Sequence, residues 1–128
     1  MRTGRLRIFF DGGCRPNPGT MEIAVVARGV TYRESDIGHG GSEESEWQAL
    51  LHAVRIAVQL GAADVELVGD SQSVINQATG VTKCRDAGSR QHLAAYQQAA
   101  AAIPKVHVRY TPRSKNLAGI ALAQGHPR

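Results

Sequence analysis

Residues 5–14 have the sequence RLRIFFDGGC, an apolar, β-prone run closed by an aspartate and two glycines. The run is typical of a buried strand, and Gly12 and Gly13 predict that the strand occupies residues 5–10 and stops there. Asp11 is then expected at the carboxyl end of the first strand. That edge is where open α/β sheets usually carry their sites.

The residues that follow predict an alternation of strands and helices. Strands are expected at 22–28 and 30–37, and a helix is expected at 43–60, where apolar residues recur at helical spacing. Further along lie a strand at 65–68, a helix opened by Asp70 and Ser71, a helix at 88–102, a strand at 106–110 and a last helix at 116–124. Helices separate strands 1, 4 and 5, which predicts parallel pairing and therefore an α/β fold with a mixed sheet.

The length and the charge of the chain indicate a single globular domain with a basic surface in its last third. The 128 residues suit a single domain, residues 1–128, and a hydrophobic fraction of 42% suits a globular protein. The formal charge is +4, and residues 87–128 contain no acidic residue. A basic surface in the last third indicates a polyanionic partner, although a solvated basic surface without a partner would give the same pattern.

Cysteine usage argues against a zinc-binding protein, and hydropathy argues against a membrane-spanning protein. Cys14 and Cys84 lack the spacing and the neighbouring histidines of a zinc site, while a disulfide between them stays open. No apolar run approaches the roughly 18 residues that a membrane-spanning helix needs, and no signal peptide precedes the first strand. We therefore expect a cytoplasmic, monomeric protein without membrane contact.

Three carboxylates fall at positions that the predicted sheet would bring together. Asp11 follows strand 1, Asp70 follows strand 4, and Glu46 lies in the first turn of the long helix. Converging carboxylates repel each other unless a cation lies among them, and an all-oxygen donor set favours magnesium or manganese over zinc. Each residue alone has a simpler explanation: Asp11 as a turn residue, Glu46 as a partner of the helix dipole, and Asp70 as a helix cap.

Four segments in chain order carry a resemblance to a known family. They are Asp11-Gly12-Gly13-Cys14 with Asn17, then Glu46-Trp47-Gln48-Ala49-Leu50, then Gly69-Asp70-Ser71-Gln72 and, as a weaker match, Arg113 and Asn116 with Leu122 and Ala123. Together they resemble type 1 ribonuclease H (ribonuclease HI) in its short form without a basic handle. The resemblance covers residues 5–123, nearly the whole chain.

This resemblance implies a ribonuclease H-like fold with a five-stranded mixed sheet of order 3-2-1-4-5, flanked by helices. It implies a ribonuclease H, an endoribonuclease that hydrolyses the RNA strand of an RNA–DNA hybrid and leaves a 3′-hydroxyl and a 5′-phosphate. Asp11, Glu46 and Asp70 would be the catalytic, metal-binding residues, with Mg²⁺ as cofactor and Mn²⁺ as a substitute. The implied nucleic-acid-binding residues are Cys14, Asn17, Ser42 and Gln72 in the minor groove of the hybrid, together with Arg113 and Asn116.

Two departures from the family pattern affect the predicted site. Ile120 stands where the family places a fourth carboxylate, and no acidic residue follows it in the chain. Asn116, one helical turn earlier, and His126 are the candidates to compensate. Glu43 and Glu44 add negative charge just before the catalytic glutamate, where a phosphate backbone would pass.

Three functions stay open at this point: an active ribonuclease H with a weakened ion site, a non-catalytic hybrid-binding domain, and a ribonuclease H-like fold used for protein contacts. The retained carboxylates favour the first, because a scaffold has no need to gather them. In that case Ile120→Asp is expected to raise cleavage in magnesium. Hybrid binding is expected to weaken with salt through the basic residues Arg85, Arg90, Arg113 and Lys115.

Overall fold

The structure, a computed structural model, describes residues 4–125. Its strands are β1 (Leu6–Arg15), β2 (Gly19–Ala27), β3 (Val30–Glu34), β4 (His39–Gly40), β5 (Asp64–Gly69) and β6 (Lys105–Tyr110). Its helices are α1 (Ser42–Gln59), α2 (Gln72–Ala78), α3 (Ala87–Ala100) and α4 (Leu117–Gln124), with a 3₁₀ turn at Arg113–Lys115.

The strands form one mixed sheet in the order β3-β2-β1-β5-β6. β1 runs antiparallel to β2 and parallel to β5, and β5 runs parallel to β6. This confirms the predicted five-stranded order, because β5 and β6 are the fourth and fifth predicted strands. The two-residue β4, which pairs with the start of β2, is an additional strand that the sequence did not predict.

Two apolar layers hold the helices on the sheet. The larger lies between the sheet and the helices α1 and α3, and its fully buried residues include Ile8, Phe10, Val25, Leu50 and Leu67. The smaller lies on the opposite face, where α4 packs on β2. It is built from small and medium side chains, Ala24, Val26, Ala118, Ala121 and Leu122. The fold therefore places α4 across the sheet from α1, with β1 between them.

The prediction that β1 stops after residue 10 is wrong. β1 continues through Asp11, Gly12 and Gly13 to Arg15, paired residue by residue with β2. A Cβ on Gly12 would overlap the backbone carbonyl of Ser45 in α1. The glycine therefore serves close helix–strand packing rather than a turn. Asp11 consequently lies inside a strand, not at its end.

Other differences at the element ends are smaller. Glu46 is the fifth residue of α1 and so lies just beyond the first turn, which carries Glu43 and Glu44. Ser71, not Asp70, caps α2 by accepting a hydrogen bond from the backbone amide of Val74.

Cys14 and Cys84 are both free thiols. Among the described residues, no helix combines the length and the apolar character needed to cross a membrane.

Candidate active site

The three predicted carboxylates converge. Asp11 projects from β1, Asp70 follows directly after β5, and Glu46 comes from α1. One oxygen from each lies within 4.8 Å of the others, close enough for all three to bind a single cation. The parallel pairing of β1 with β5 ends at Phe9 and Val68, so Asp11 and Asp70 both lie just beyond it, although β1 itself continues.

Close packing at Gly12 brings Glu46 into this group. The backbone of α1 rests on the strand there, and the Gly12 amide donates a hydrogen bond of 3.1 Å to Glu46 Oε1. A residue with a side chain at position 12 would push α1 away from β1. Gly12 therefore sets the distance between Asp11 and Glu46.

Burial and mutual repulsion shift the protonation of the centre. Burial, followed by the charges of Asp11 and Asp70, raises the pKa of Glu46 to about 10. Burial and the charge of Asp70 raise the pKa of Asp11 to about 6, although the Arg113 guanidinium acts in the opposite direction. Three carboxylates at this distance are therefore not stable together in ionised form without a nearby cation.

The buried side chain of Asn116 connects Asp70 to β1 and α4 through hydrogen bonds. The side chain is fully buried, and its amide donates hydrogen bonds to the carbonyl of Phe10 (3.0 Å) and to Asp70 Oδ2 (2.8 Å). Its own oxygen caps α4 by accepting from the Ala118 amide (3.1 Å). The prediction that Asn116 contacts nucleic acid is therefore wrong, since a buried, fully bonded amide cannot reach a ligand outside. It links β1, Asp70 and α4 instead.

A groove of about 450 Å³ runs past the carboxylates. Cys14, Asn17, Ser42 and Arg113 line it together with Asp11 and Glu46. The Asn17 amide donates to Ser42 Oγ (3.3 Å), and the Ser42 backbone amide donates to Asn17 Oδ1 (3.2 Å). Cys14 Sγ lies 3.5 Å from the same oxygen.

The structure thus brings together four of the six predicted nucleic-acid-binding residues, namely Cys14, Asn17, Ser42 and Arg113. Gln72 lies at the start of α2, outside the residues that line this groove, and its amide donates to Asn76 Oδ1 (2.9 Å).

Glu43 has a structural partner that the sequence did not reveal. Its two carboxylate oxygens accept hydrogen bonds from Ser73 Oγ (2.8 Å) and Gln77 Nε2 (3.3 Å), which ties the start of α1 to α2. Hydrogen bonding of this kind disperses part of the charge that the sequence analysis expected to oppose a phosphate backbone.

Gly119 is an α4 residue that approaches the carboxylates, and the expectation that Ile120 occupies the place of a fourth carboxylate stays a prediction. A Cβ on Gly119 would lie 3.3 Å from Asp11 Oδ2 and 3.6 Å from Asp70 Oδ2. Ile120 is 43% exposed and is absent from the residues that line the groove. The other candidate to replace the missing carboxylate, His126, lies outside the described residues.

The donor set fits a hard divalent cation. Carboxylate oxygens are the only side-chain donors in the group of Asp11, Glu46 and Asp70, and such oxygens suit magnesium, calcium or manganese. No cysteine or histidine belongs to the group, so its chemistry does not favour zinc.

The sheet order, the helix placement and the carboxylates at the β1–β5 junction define a ribonuclease H-like domain. A family model described as reverse transcriptase-like matches residues 9–126, and the chain belongs to this family. The resemblance predicted from the sequence is therefore confirmed.

Curated and solved relatives agree with this assignment. The chain is 32% identical to ribonuclease HI of Halobacterium salinarum over 127 residues, which cover 95% of this chain and 64% of that protein. The crystal structure of ribonuclease H1 from the same halophilic archaeon matches with a TM-score of 0.85 at 29% identity, covering 94% of this chain and 99% of that one. LC11 ribonuclease H1, isolated from compost and crystallised in complex with an RNA/DNA hybrid, matches with a TM-score of 0.79 at 28% identity, covering 88% and 89%.

Proposed function

We propose that this chain is an endoribonuclease that hydrolyses the RNA strand of RNA–DNA hybrids with the help of divalent metal ions. The observation that carries the proposal is the convergence of Asp11, Glu46 and Asp70 within 4.8 Å beside an open groove. The similarity to two ribonucleases H at 28% and 29% identity, one of them in complex with a hybrid, supports the same conclusion.

The metal centre consists of Asp11, Glu46 and Asp70, with Mg²⁺ as the proposed ion and Mn²⁺ as a substitute. Divalent ions at such a centre lower the pKa of bound water and stabilise negative charge on the leaving oxygen of a phosphodiester. In the hydrolysis, water adds to phosphorus and the bond to the 3′-oxygen breaks, which leaves a 3′-hydroxyl and a 5′-phosphate.

The residues around the metal centre position it and bind the substrate. Asn116 donates a hydrogen bond to Asp70 Oδ2 and thereby restricts the orientation of this carboxylate. Arg113, exposed at the edge of the groove, is suited to a phosphate of the backbone. Asn17 and Ser42, with Cys14 beside them, offer polar atoms for the RNA 2′-hydroxyls in the minor groove, and Gln72 is the fourth residue proposed for this role.

A second candidate function is hybrid binding with little or no cleavage. The observation in its favour is the side of α4 that faces the carboxylates, where Gly119 supplies no ligand atom. A centre with three carboxylates instead of four binds its second ion more weakly, so the chain can bind the hybrid even where it cleaves the hybrid slowly.

The cytoplasmic location and the monomeric state stay predictions.

A cleavage assay separates the two functions. We expect the chain to cleave the RNA strand of a hybrid in Mg²⁺ and faster in Mn²⁺, because manganese binds oxygen and nitrogen sites more tightly. RNA duplex and DNA duplex of the same sequence are the substrate controls. Binding of the hybrid without cleavage in either ion would reject the enzyme and support the binding domain, whereas absence of both would reject the two functions together.

A further inference from the structure

One face of the sheet carries a patch of charged side chains beside the part on which α4 packs. Successive side chains of a strand point to opposite faces, and Ile8 and Phe10 lie in the core with α1. Arg7 therefore lies on the other face, which is also the face of Asp11. The strand register places the charged residues of β5 and β6 next to Arg7. We call this patch the basic face, and it consists of Arg5, Arg7, Asp64, Glu66, Lys105, His107 and Arg109.

The carboxylates of the basic face lie beneath its cations. Glu66 Oε1 accepts a hydrogen bond from Arg7 Nε (2.8 Å), and Glu66 Oε2 accepts one from Arg109 Nε (3.0 Å). The side chain of Glu66 is only 11% exposed, whereas those of Arg7 and Arg109 are 58% and 49% exposed. The two guanidinium groups consequently form the outer layer, and the negative charge lies under them.

A second row of the basic face repeats this arrangement. Asp64 Oδ1 lies 3.2 Å from Arg5 Nε and 3.4 Å from His107 Nε2, and the side chain of Asp64 is less exposed than either partner. Lys105 adds another exposed cation. Four permanent cations and two carboxylates leave the basic face with a formal charge of +2 when His107 is neutral. An excess of cations that is directed to solvent attracts a polyanion.

The basic face is connected to the groove by further cations. Two residues after β6, the 3₁₀ turn Arg113–Lys115 begins, and Arg113 lines the groove together with Asp11. Arg113, Lys115 and Arg109 are all exposed. A nucleic acid backbone that leaves the groove therefore meets positive charge along the end of β6. A duplex is stiff over such a distance, whereas a single strand can change its direction.

We propose that the basic face binds the phosphate backbone of single-stranded nucleic acid that extends from a hybrid bound in the groove. The inference rests on the proposed function for the hybrid, but not for binding of the strand itself. A guanidinium group binds a phosphate through two parallel hydrogen bonds. Arg7 and Arg109 each contact Glu66 through Nε, so their terminal nitrogens are available for this contact. Contacts to phosphates carry no sequence information, so strands of any sequence are expected to bind.

The first test measures binding of an unstructured single-stranded DNA in a chelator, so that neither cleavage nor ion binding affects the result. Fluorescence anisotropy compares the wild type with Arg7→Gln/Arg109→Gln. We expect the double variant to bind at least about 5-fold more weakly at low salt. The salt slope of the logarithm of the affinity should fall by roughly 1.4, because each phosphate contact on a single strand contributes about 0.7.

A substitution of opposite sign sharpens this test. Glu66→Gln keeps both arginines and removes the negative charge beneath them, so it should tighten binding of the strand by about 2-fold or more. Arg55→Gln is the matched control, since Arg55 is an exposed arginine on α1, which packs on the opposite face of the sheet. Binding by this control should equal that of the wild type.

A third variant covers the case in which the double variant does not fold because Glu66 loses both partners. Arg7→Gln/Glu66→Gln/Arg109→Gln replaces the whole row by amides and leaves no carboxylate unpaired. It should bind the single strand as weakly as the double variant.

The second test connects the basic face to the hybrid. A blunt hybrid is compared with hybrids that carry a single-stranded extension of about 10 nucleotides at one end or the other, again in a chelator. The wild type should bind one of the extended hybrids at least about 3-fold more tightly than the blunt one, because the extension adds phosphate contacts. The double variant should lose this difference.

Equal binding of the single strand by the wild type and the double variant would overturn the proposal, and so would equal binding of blunt and extended hybrids by the wild type. Polyglutamate that displaces the strand at an equal concentration of charge would overturn it in favour of an acidic protein partner. These failures would leave the proposed function standing, because cleavage of a blunt hybrid does not involve the basic face. A chain that passes both binding tests but cleaves no hybrid would reject the enzyme alone.

Discussion

The two sides of the metal centre are built differently. On the sheet side, the neighbouring parallel strands β1 and β5 carry Asp11 and Asp70, and α1 is held against them at Gly12. On the α4 side, Gly119 and Ala123 offer only backbone and a methyl group. The comparison shows that the sheet and α1 supply the ligands, whereas α4 packs beside them without adding a ligand side chain.

The two sides of the metal centre also differ in the free energy that their charges cost the metal-free protein. The sheet side gathers three carboxylates, and their burial and repulsion raise the pKa values of Glu46 and Asp11. The α4 side adds no charge, and Asn116 donates a hydrogen bond to Asp70 Oδ2. A fourth carboxylate would improve ion binding, but it would raise the free energy of the metal-free protein.

The largest effect is expected on the sheet side. Asp70→Asn should lower hybrid cleavage in Mg²⁺ by at least about 100-fold, because it removes a charged ligand from a centre that has only three. Asp36→Asn is the matched control, since Asp36 is an exposed carboxylate outside the groove. Single-turnover cleavage measures the effect, and a loss of less than 10-fold would remove Asp70 from the proposed centre.

Asn116 joins the two sides, and its loss should have the next largest effect. Asn116→Ala removes the hydrogen bonds to Phe10 and Asp70 and the cap of α4. We expect about a 10-fold loss in kcat with little change in KM, and a loss of about 2 kcal/mol in the free energy of unfolding. Steady-state kinetics and urea unfolding test this. A loss of stability with unchanged kcat would show that Asn116 has no positioning role.

The electrostatic cost of the sheet side predicts a stabilising substitution. The pKa of Asp11 is raised from 3.8 to about 6 in the folded protein, so the ionised form is disfavoured by folding. The cost is fully present above about pH 6 and disappears as the pH falls toward 4. Asp11→Asn should therefore stabilise the metal-free protein by on the order of 1 kcal/mol at pH 7.5.

Thermal unfolding in a chelator at pH 7.5 and at pH 4 checks this sign. The gain should be present at the higher pH and absent at the lower one, and Mg²⁺ should raise the Tm of the wild type more than that of Asp11→Asn. A destabilising effect of Asp11→Asn at pH 7.5 would mean that the carboxylates do not repel each other in the metal-free protein.

The smallest effect is expected for substrate binding at the edge of the groove. Arg113→Ala should weaken hybrid binding several-fold at low salt and reduce the salt slope of the logarithm of the affinity by about 1. Arg55, exposed on α1 and outside the groove, is the control. An unchanged slope for Arg113→Ala in a titration from low to moderate salt would argue against a phosphate contact.

Much of the site was predictable because its ligands follow strand patterns. Asp11 and Asp70 each follow a short β-prone run, and parallel pairing of the two runs brings them together regardless of the details of the loops. Glu46 was predictable from its place near the start of the long helix, but its distance from Asp11 depends on the close approach of α1 at Gly12. The buried role of Asn116 was missed, since an asparagine before a helix is a cap signal that does not tell where its amide points.

The amino-acid sequence alone determined the family and the three carboxylates that meet, and the resemblance to that family implied the order of the sheet. The motifs lie in local patterns whose order survives small shifts in the element ends. Only the tertiary structure decided that β1 continues past Asp11 and that the backbone of α4 approaches the centre at Gly119. Both depend on how one element packs on another, and a change of one residue in the phase of a helix turns a side chain by about 100°.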